Sequence, residues 1–221
     1  MKRTQKLSWL LVLVMLFAGT TRSFSQSIQE FFNNTSTPLT YLGIDYTKNR
    51  LINDPAGNAF DIKARLYNSM NKVVLEEMDK NYKIGDAFKR SGDITTDIDA
   101  VTEKNEKINE KDILSSNETD FNRLTETDIA DCVKALNLKA KEGIGLVFIM
   151  EGMKKGEKKS YGSVWATLID MKTKKVLITE RMEQDAAGFG FRNMWVSIVK
   201  RSIVEIDKSA YKNWKKKYGG G

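Results

Sequence analysis

The sequence predicts an α/β (α+β) protein. It reads as a single mixed sheet of about five strands with a C-terminal antiparallel meander, flanked by helices and closed by a long C-terminal helix. Three observations carry that expectation. Residues 144–151 (IGLVFIME) hold an apolar run suited to a central strand covered on both faces. Residues 160–183 form two alternating stretches around a polar turn at 171–175, the pattern of a hairpin. Residues 193–217 place Trp195, Val199, Ile203, Ile206, Ala210 and Trp214 at helical spacing. Lys212, Lys215, Lys216 and Lys217 gather at the end of that helix, where its dipole favours cations.

In chain order, residues 1–25 read as an export signal. Lys2, Arg3 and Lys6 precede a 12-residue apolar run from Leu7 to Ala18, and Ser23-Phe24-Ser25 offers small residues for cleavage. The run is shorter than the roughly 20 residues a membrane-spanning helix needs. No cysteine stands near the cut to take a lipid, so the expectation is a periplasmic or secreted protein that is not a lipoprotein. Residues 26–38 are a polar lead-in whose Ile28, Phe31 and Phe32 are expected to dock on the α/β domain at 39–218.

Residues 39–47 read as the first strand, Leu39, Tyr41 and Gly43 alternating with Leu42, Ile44 and Tyr46. Asn58 caps a helix reaching about residue 80, with Phe60, Ala64, Tyr67, Val74 and Met78 on its inner face beside Leu66, Met70 and Val73. A short strand is expected at 82–88, then a short amphipathic helix through Ile98, Val101, Asn105 and Ile108, then an exposed acidic loop over 109–124. Thr125 and Asp128 form a capping box for a helix that buries Ile129, Cys132, Val133, Leu136 and Ala140 and ends at Gly143. The closing glycines, 219–221, are expected to be disordered.

Composition excludes several chemistries. There is no histidine, so imidazole metal sites, Ser-His-Asp and Cys-His systems and imidazole proton shuttles are absent. Cys132 is the only cysteine, so no internal disulfide forms, and its place on a buried stripe makes it a core thiol. The first 25 residues carry four of the basic side chains and no acidic one, which leaves +3 of the formal +7. What remains is uneven. Residues 97–131 hold 11 acidic and 4 basic side chains, and residues 132–221 hold 19 basic and 9 acidic.

Three stretches are candidates for function. Gly188-Phe189-Gly190-Phe191-Arg192-Asn193 joins a strand to the last helix. Asn193 replaces the third glycine of a dinucleotide fingerprint, and the preceding strand belongs to a hairpin, so phosphate binding is the lesser reading. Phe189, Phe191, Arg192 and Trp195 have the make-up of an interface hot spot; the plainer alternative tucks the aromatics under the sheet. Glu151, Glu180, Glu183 and Asp185 lie at strand ends, where a convergent pair would serve as acid and base on a glycoside. Lys154, Lys155, Lys158 and Lys159 make a basic loop suited to an anionic envelope surface; without interleaved aromatics it does not suit nucleic acid.

The order of elements resembles the periplasmic α/β domain of curli-secretion lipoproteins and the N-terminal domain of the Tol-system propeller protein, over about residues 39–210. The segment 169–176 (IDMKTKKV) is similar to a D-x-x-T-G-x-x-L hairpin found there, with Lys174 where glycine is usual. GIGLVFIMEG, LIDMKTKKVL and GFGFRNMW resemble a family of uncharacterised exported bacterial proteins. The resemblance implies residence in the envelope and a domain used for protein contacts more than for catalysis.

The sequence therefore reads as an exported, non-enzymatic envelope interaction or assembly module with no cofactor and no metal. Its contact residues are expected at Gly188, Phe189, Gly190, Phe191, Arg192 and Trp195. The partner is an envelope protein or a second copy of the chain. The alternative is a secreted hydrolase with paired carboxylates acting on a glycan-type substrate.

Overall fold

A computed structural model describes residues 23–220, with side chains from Ile28 onward. The export signal expected at 1–25 lies outside the described residues except for its last three positions. The architecture is mixed α/β. Its strands are β1 (Leu39–Asp45), β2 (Arg50–Ile52), β3 (Thr95–Thr96), β4 (Leu114–Ser115), β5 (Ile144–Lys155), β6 (Ser160–Asp170) and β7 (Lys175–Ala186). The helices are α1 (Ser23–Asn33), α2 (Ala59–Asp61, a π-turn Ile62–Leu66, then Tyr67–Glu76), α3 (Ile84–Ala87), α4 (Asp99–Asn105), α5 (Glu126–Lys134), α6 (Gly190–Glu205) and α7 (Tyr211–Tyr218). A π-turn at Ile206–Ala210 joins α6 to α7 without a break.

Seven strands fill a sheet five rows wide, because two rows are broken into collinear pieces. β5 is the centre. Along one edge it pairs in parallel with β1 through residues 144–149 and with β2 through residues 152–154. Beyond these lie β3 on β1 and β4 on β2, also parallel. Along its other edge β5 pairs antiparallel with β6, and β6 with β7. The 171–174 turn closes without glycine: Lys174 takes a left-handed φ of 56°, and Asp170 Oδ1 accepts the Thr173 N–H at 2.8 Å.

The sheet buries both faces. On one side α1, α2, α6 and α7 cover Tyr41, Ile44, Leu146, Phe148, Val164, Leu168, Ile178 and Met182. On the other α4 and α5 cover Leu42, Val147, Ile149, Trp165 and Ile169. Cys132 sits in that second layer, and burial pushes its thiol above the ordinary range. The lead-in docks as expected. Ile28, Phe31 and Phe32 are buried, Phe32 packs on Tyr211, and the Arg90 guanidinium lies 4.0 Å from the Phe31 ring centre.

Several expectations are corrected. A register shift in β1 between Tyr41 and Gly43 puts Ile44 and Tyr46 on the same side as Leu39 and Tyr41, so simple alternation fails. The π-turn at Ile62–Leu66 adds a residue and rotates the inner face of α2, which leaves Phe60 67 % exposed and Ala64 exposed. The segment 82–88 forms no strand: residues 84–87 make a short helix that starts after a left-handed Lys83, with Ile84, Ala87 and Phe88 buried at helical spacing. The capping box of α5 forms with both bonds, but the helix stops at Lys134. Leu136 and Leu138 then alternate into the core, and Lys139 and Ala140 take left-handed conformations with Ala140 exposed. Gly219 is fastened: its N–H reaches Lys215 O at 2.8 Å and its carbonyl accepts Asn33 Nδ2 at 2.7 Å.

Candidate functional site

The joint between β7 and α6 is where the expected contact residues meet, and the structure divides them. Gly188 and Gly190 both have positive φ, 126° and 76°. A Cβ on Gly188 would stand 3.0 Å from the backbone of Asn193, so the first turn of α6 closes directly over it. That turn holds Phe189 at the N-cap position with its side chain 95 % exposed. Ala187 N donates to Ser197 Oγ at 2.9 Å and ties the loop to the second turn of the helix. Arg192 and Asn193 are exposed neighbours, with Arg192 Nε donating to Asn193 Oδ1 at 3.0 Å.

Trp195 is not part of this surface. It is fully buried in the core under α6, a correction that follows from its place on the inner stripe with Val199 and Ile203. Phe191 is half-buried and meets Trp195 edge to face, ring centres 6.2 Å apart, which makes it the link between core and rim. Of the six residues expected at the contact, the large side chains left exposed are Phe189 and Arg192, on a glycine-built turn braced by Phe191.

Of the carboxylates considered for hydrolysis, Glu151 and Glu183 come together, and they do so on the guanidinium of Arg181, which lies between them as a shared ion-pair partner. Glu151 is fully buried and lies against the α5 side of the sheet. One of its oxygens accepts the backbone N–H groups of Arg123 and Leu124, each at 2.6 Å. The other accepts Trp165 Nε1 at 3.1 Å and Arg181 Nε at 2.8 Å. Arg181 also donates to Phe121 O at 2.7 Å. The carboxylate is thus a fastening that straps the acidic segment 118–124 across the sheet, with its acceptor capacity taken up. Glu180 points to the opposite face, where it accepts Trp214 Nε1. Glu183 pairs with Arg181 at 3.5 Å, and Asp185 with Lys159 at 3.2 Å. Among the described residues, no group of three or more Cys, Asp or Glu side chains is placed to hold a metal ion.

The basic loop is also altered by the fold. Lys154 pairs with Glu118 at 2.9 Å, Lys155 with Asp54 at 3.6 Å and Lys159 with Asp185 at 3.2 Å, so three of its four expected anion contacts are already occupied. Sequence reading missed two polar fastenings as well. Asn71 on α2 bonds both backbone groups of Ile44, and Asn105 on α4 bonds Ile44 O and Tyr46 N. The two amides stand in for a neighbouring strand where β3 has ended.

No protein-family model and no curated protein matches the chain. Among solved structures it is similar to a neuraminyllactose-binding hemagglutinin homolog from Helicobacter pylori, 7 % identical over 84 % of this chain and 89 % of that one, TM-score 0.35. It is also similar to lipoprotein GNA1162 from Neisseria meningitidis, 15 % identical over 76 % of this chain and 99 % of that one, TM-score 0.27. A third is the LpoB C-terminal domain from Salmonella enterica, 9 % identical over 73 % of this chain and 98 % of that one, TM-score 0.28. At these scores the likeness assigns no activity. Among the described residues, no helix is long and apolar enough to cross a membrane.

Proposed function

We propose that the chain is an exported, non-enzymatic envelope module that binds a protein partner through the joint between β7 and α6. The observation that carries the reading is Phe189, a large apolar side chain held 95 % exposed on a turn that the fold keeps rigid. Exposing a phenylalanine on an ordered turn gains nothing for folding, whereas an aromatic beside an arginine is the composition of interface anchors. Export agrees with the docking of α1: Ile28, Phe31 and Phe32, which fasten that helix, all lie beyond the expected cut after residue 25. The hydrolase reading loses its support because Glu151 is consumed by four donors and Glu180 faces away from it.

The test is a photo-crosslinking amino acid placed at position 189 in intact cells, compared with the same group at Phe60, an exposed aromatic far along the chain. An adduct specific to position 189, lost when Arg192→Glu is added, is the expected result. Phe189→Ala should leave the unfolding free energy within about 0.5 kcal/mol, as for an exposed site, while Trp195→Ala should lower it by about 3–5 kcal/mol. Equal labelling at 60 and 189, or none at 189, removes the proposal.

A further inference from the structure

The long helix formed by α6 and α7 carries a charge pattern that its packing does not use. Segment 190–218 holds eight basic and two acidic side chains. Fifteen ion pairs occur among the described residues, and only Lys89–Asp207 touches this segment, through its acid. Lys200, Arg201, Lys208, Lys212, Lys215 and Lys216 are all exposed, and their side chains make no hydrogen bond or ion pair among the described residues. Several surface lysines elsewhere, among them Lys63, Lys107, Lys134 and Lys172, find a carboxylate within 4 Å, whereas among the described residues none of the lysines of this helix does.

The helix dipole accounts for Lys215 and Lys216 in the last turn, but its influence fades beyond one turn. Lys200, Arg201, Lys208 and Lys212 lie outside that reach. The π-turn at Ile206–Ala210 inserts one extra residue, which counters the drift of residues spaced four apart and keeps 200, 204, 208, 212 and 216 on the solvent side. At about 1.5 Å per residue, the basic face from Lys200 to Lys216 is roughly 25 Å long. Val204, 43 % exposed, interrupts it with an apolar contact.

We infer that this face docks on an anionic phospholipid bilayer. A long convex helix side complements a flat charged sheet better than a nucleic-acid strand. Single-strand binders use a groove with aromatic platforms, and here Trp195, Tyr211 and Trp214 are turned into the core. The charge of the whole molecule agrees. The helices α4 and α5 cover the opposite face of the sheet and carry their acidic side chains there, Glu126 near Lys217 excepted, so bilayer attraction orients the protein with α6 and α7 toward the headgroups. The basic loop expected to meet an anionic surface is largely neutralised by its own ion pairs; this helix takes its place.

The full chain should co-sediment with phosphatidylcholine vesicles only when they contain phosphatidylglycerol, and binding should weaken as salt shortens the screening length. The leader is common to every variant, so comparing variants cancels its own membrane affinity. Replacing Lys208, Lys212 and Lys216 together by glutamine removes three contacts of about fivefold each, a loss of roughly 100-fold in vesicle affinity. Lys154→Gln with Lys159→Gln, both paired with carboxylates in the loop, should change it less than about twofold. Circular dichroism checks that the variants stay folded. A triple variant that binds like the parent overturns the inference. So does binding indifferent to phosphatidylglycerol, no binding at all, or tighter capture of single-stranded RNA than of vesicles at the same salt.

Discussion

Removing the Glu151 carboxylate tests how the acidic strap is held. In Glu151→Ala, the backbone N–H groups of Arg123 and Leu124 and the indole N–H of Trp165 lose the acceptor they share, and Arg181 loses the nearer of its two carboxylates. Each unsatisfied neutral donor costs about 1 kcal/mol or more. The Arg181 side chain is 21 % exposed and keeps Phe121 O, so it recovers part of its loss through water. The sum is about 4 kcal/mol, inside the range for breaking a buried pair. For a chain of this size that corresponds to a Tm lower by about 10 °C. Urea unfolding followed by tryptophan fluorescence measures the first figure and calorimetry the second. Hydrogen exchange supplies the local check, since amides of 118–124 should lose protection before the rest of the sheet. Glu183→Gln is the control, because that carboxylate is half-exposed and sits 3.5 Å from the same guanidinium; it should shift stability by no more than about 0.5 kcal/mol. Replacing Glu151 and Arg181 together by methionine should cost less than Glu151→Ala, because no charge is left buried alone. If Glu151→Ala unfolds within about 1 kcal/mol of the parent, the size of an ordinary substitution, the strap is held by something other than this carboxylate.

Two further outcomes concern the joint and the core. Gly188→Ala should destabilise by about 2 kcal/mol, because its φ of 126° excludes a side chain and a Cβ meets the Asn193 backbone. Gly190→Ala, in open space at φ 76°, should cost only about 1 kcal/mol, and urea unfolding of the two variants gives the order. Four of the seven tyrosines, Tyr41, Tyr46, Tyr67 and Tyr82, have phenol pKa values raised, chiefly by burial. The unfolded chain then gives up protons first, so stability is fully present below about pH 10 and falls as pH rises beyond it. Phenolate absorbance from these four should appear with unfolding in an alkaline titration and not ahead of it.

The strands at the centre were legible because a strand buried on both faces must be apolar at every position, and 146–150 is. The helical stripe of α6 and α7 was legible for the same reason, each of its six apolar anchors being buried. Insertions of a single residue escaped the sequence. The bulge before Gly43, the π-turn in α2 and the π-turn before α7 change no composition and only rotate the neighbouring residues relative to the core. A count of 3.6 residues per turn puts Phe60 inside, and the structure turns it out by adding one. Asn71 and Asn105 were invisible as fastenings, since a polar residue on a helix reads as exposed until the backbone it must satisfy is known.

Charge posed a different difficulty, which bears on both proposed surfaces. The sequence shows where cations are, but an attractive field is set by those that remain unpaired after folding. Lys154, Lys155 and Lys159 look like a patch in one dimension, yet Glu118, Asp54 and Asp185 arrive from three separate segments to neutralise them. The lysines of α6 and α7 look like ordinary solvated positions, yet among the described residues no carboxylate comes within 4 Å of them. The same sorting applies to the aromatics of the joint. Trp195 and Phe189 are six residues apart and chemically alike, and the turn at Gly188 sends one into the core and the other into solvent. In both cases long-range contacts decide which groups are spent on folding, and the groups left over stand along α6 and the turn that begins it. A partner held at Phe189 and a bilayer met by Lys200 to Lys216 would therefore approach the molecule along one helix, so that loading one surface should alter access to the other.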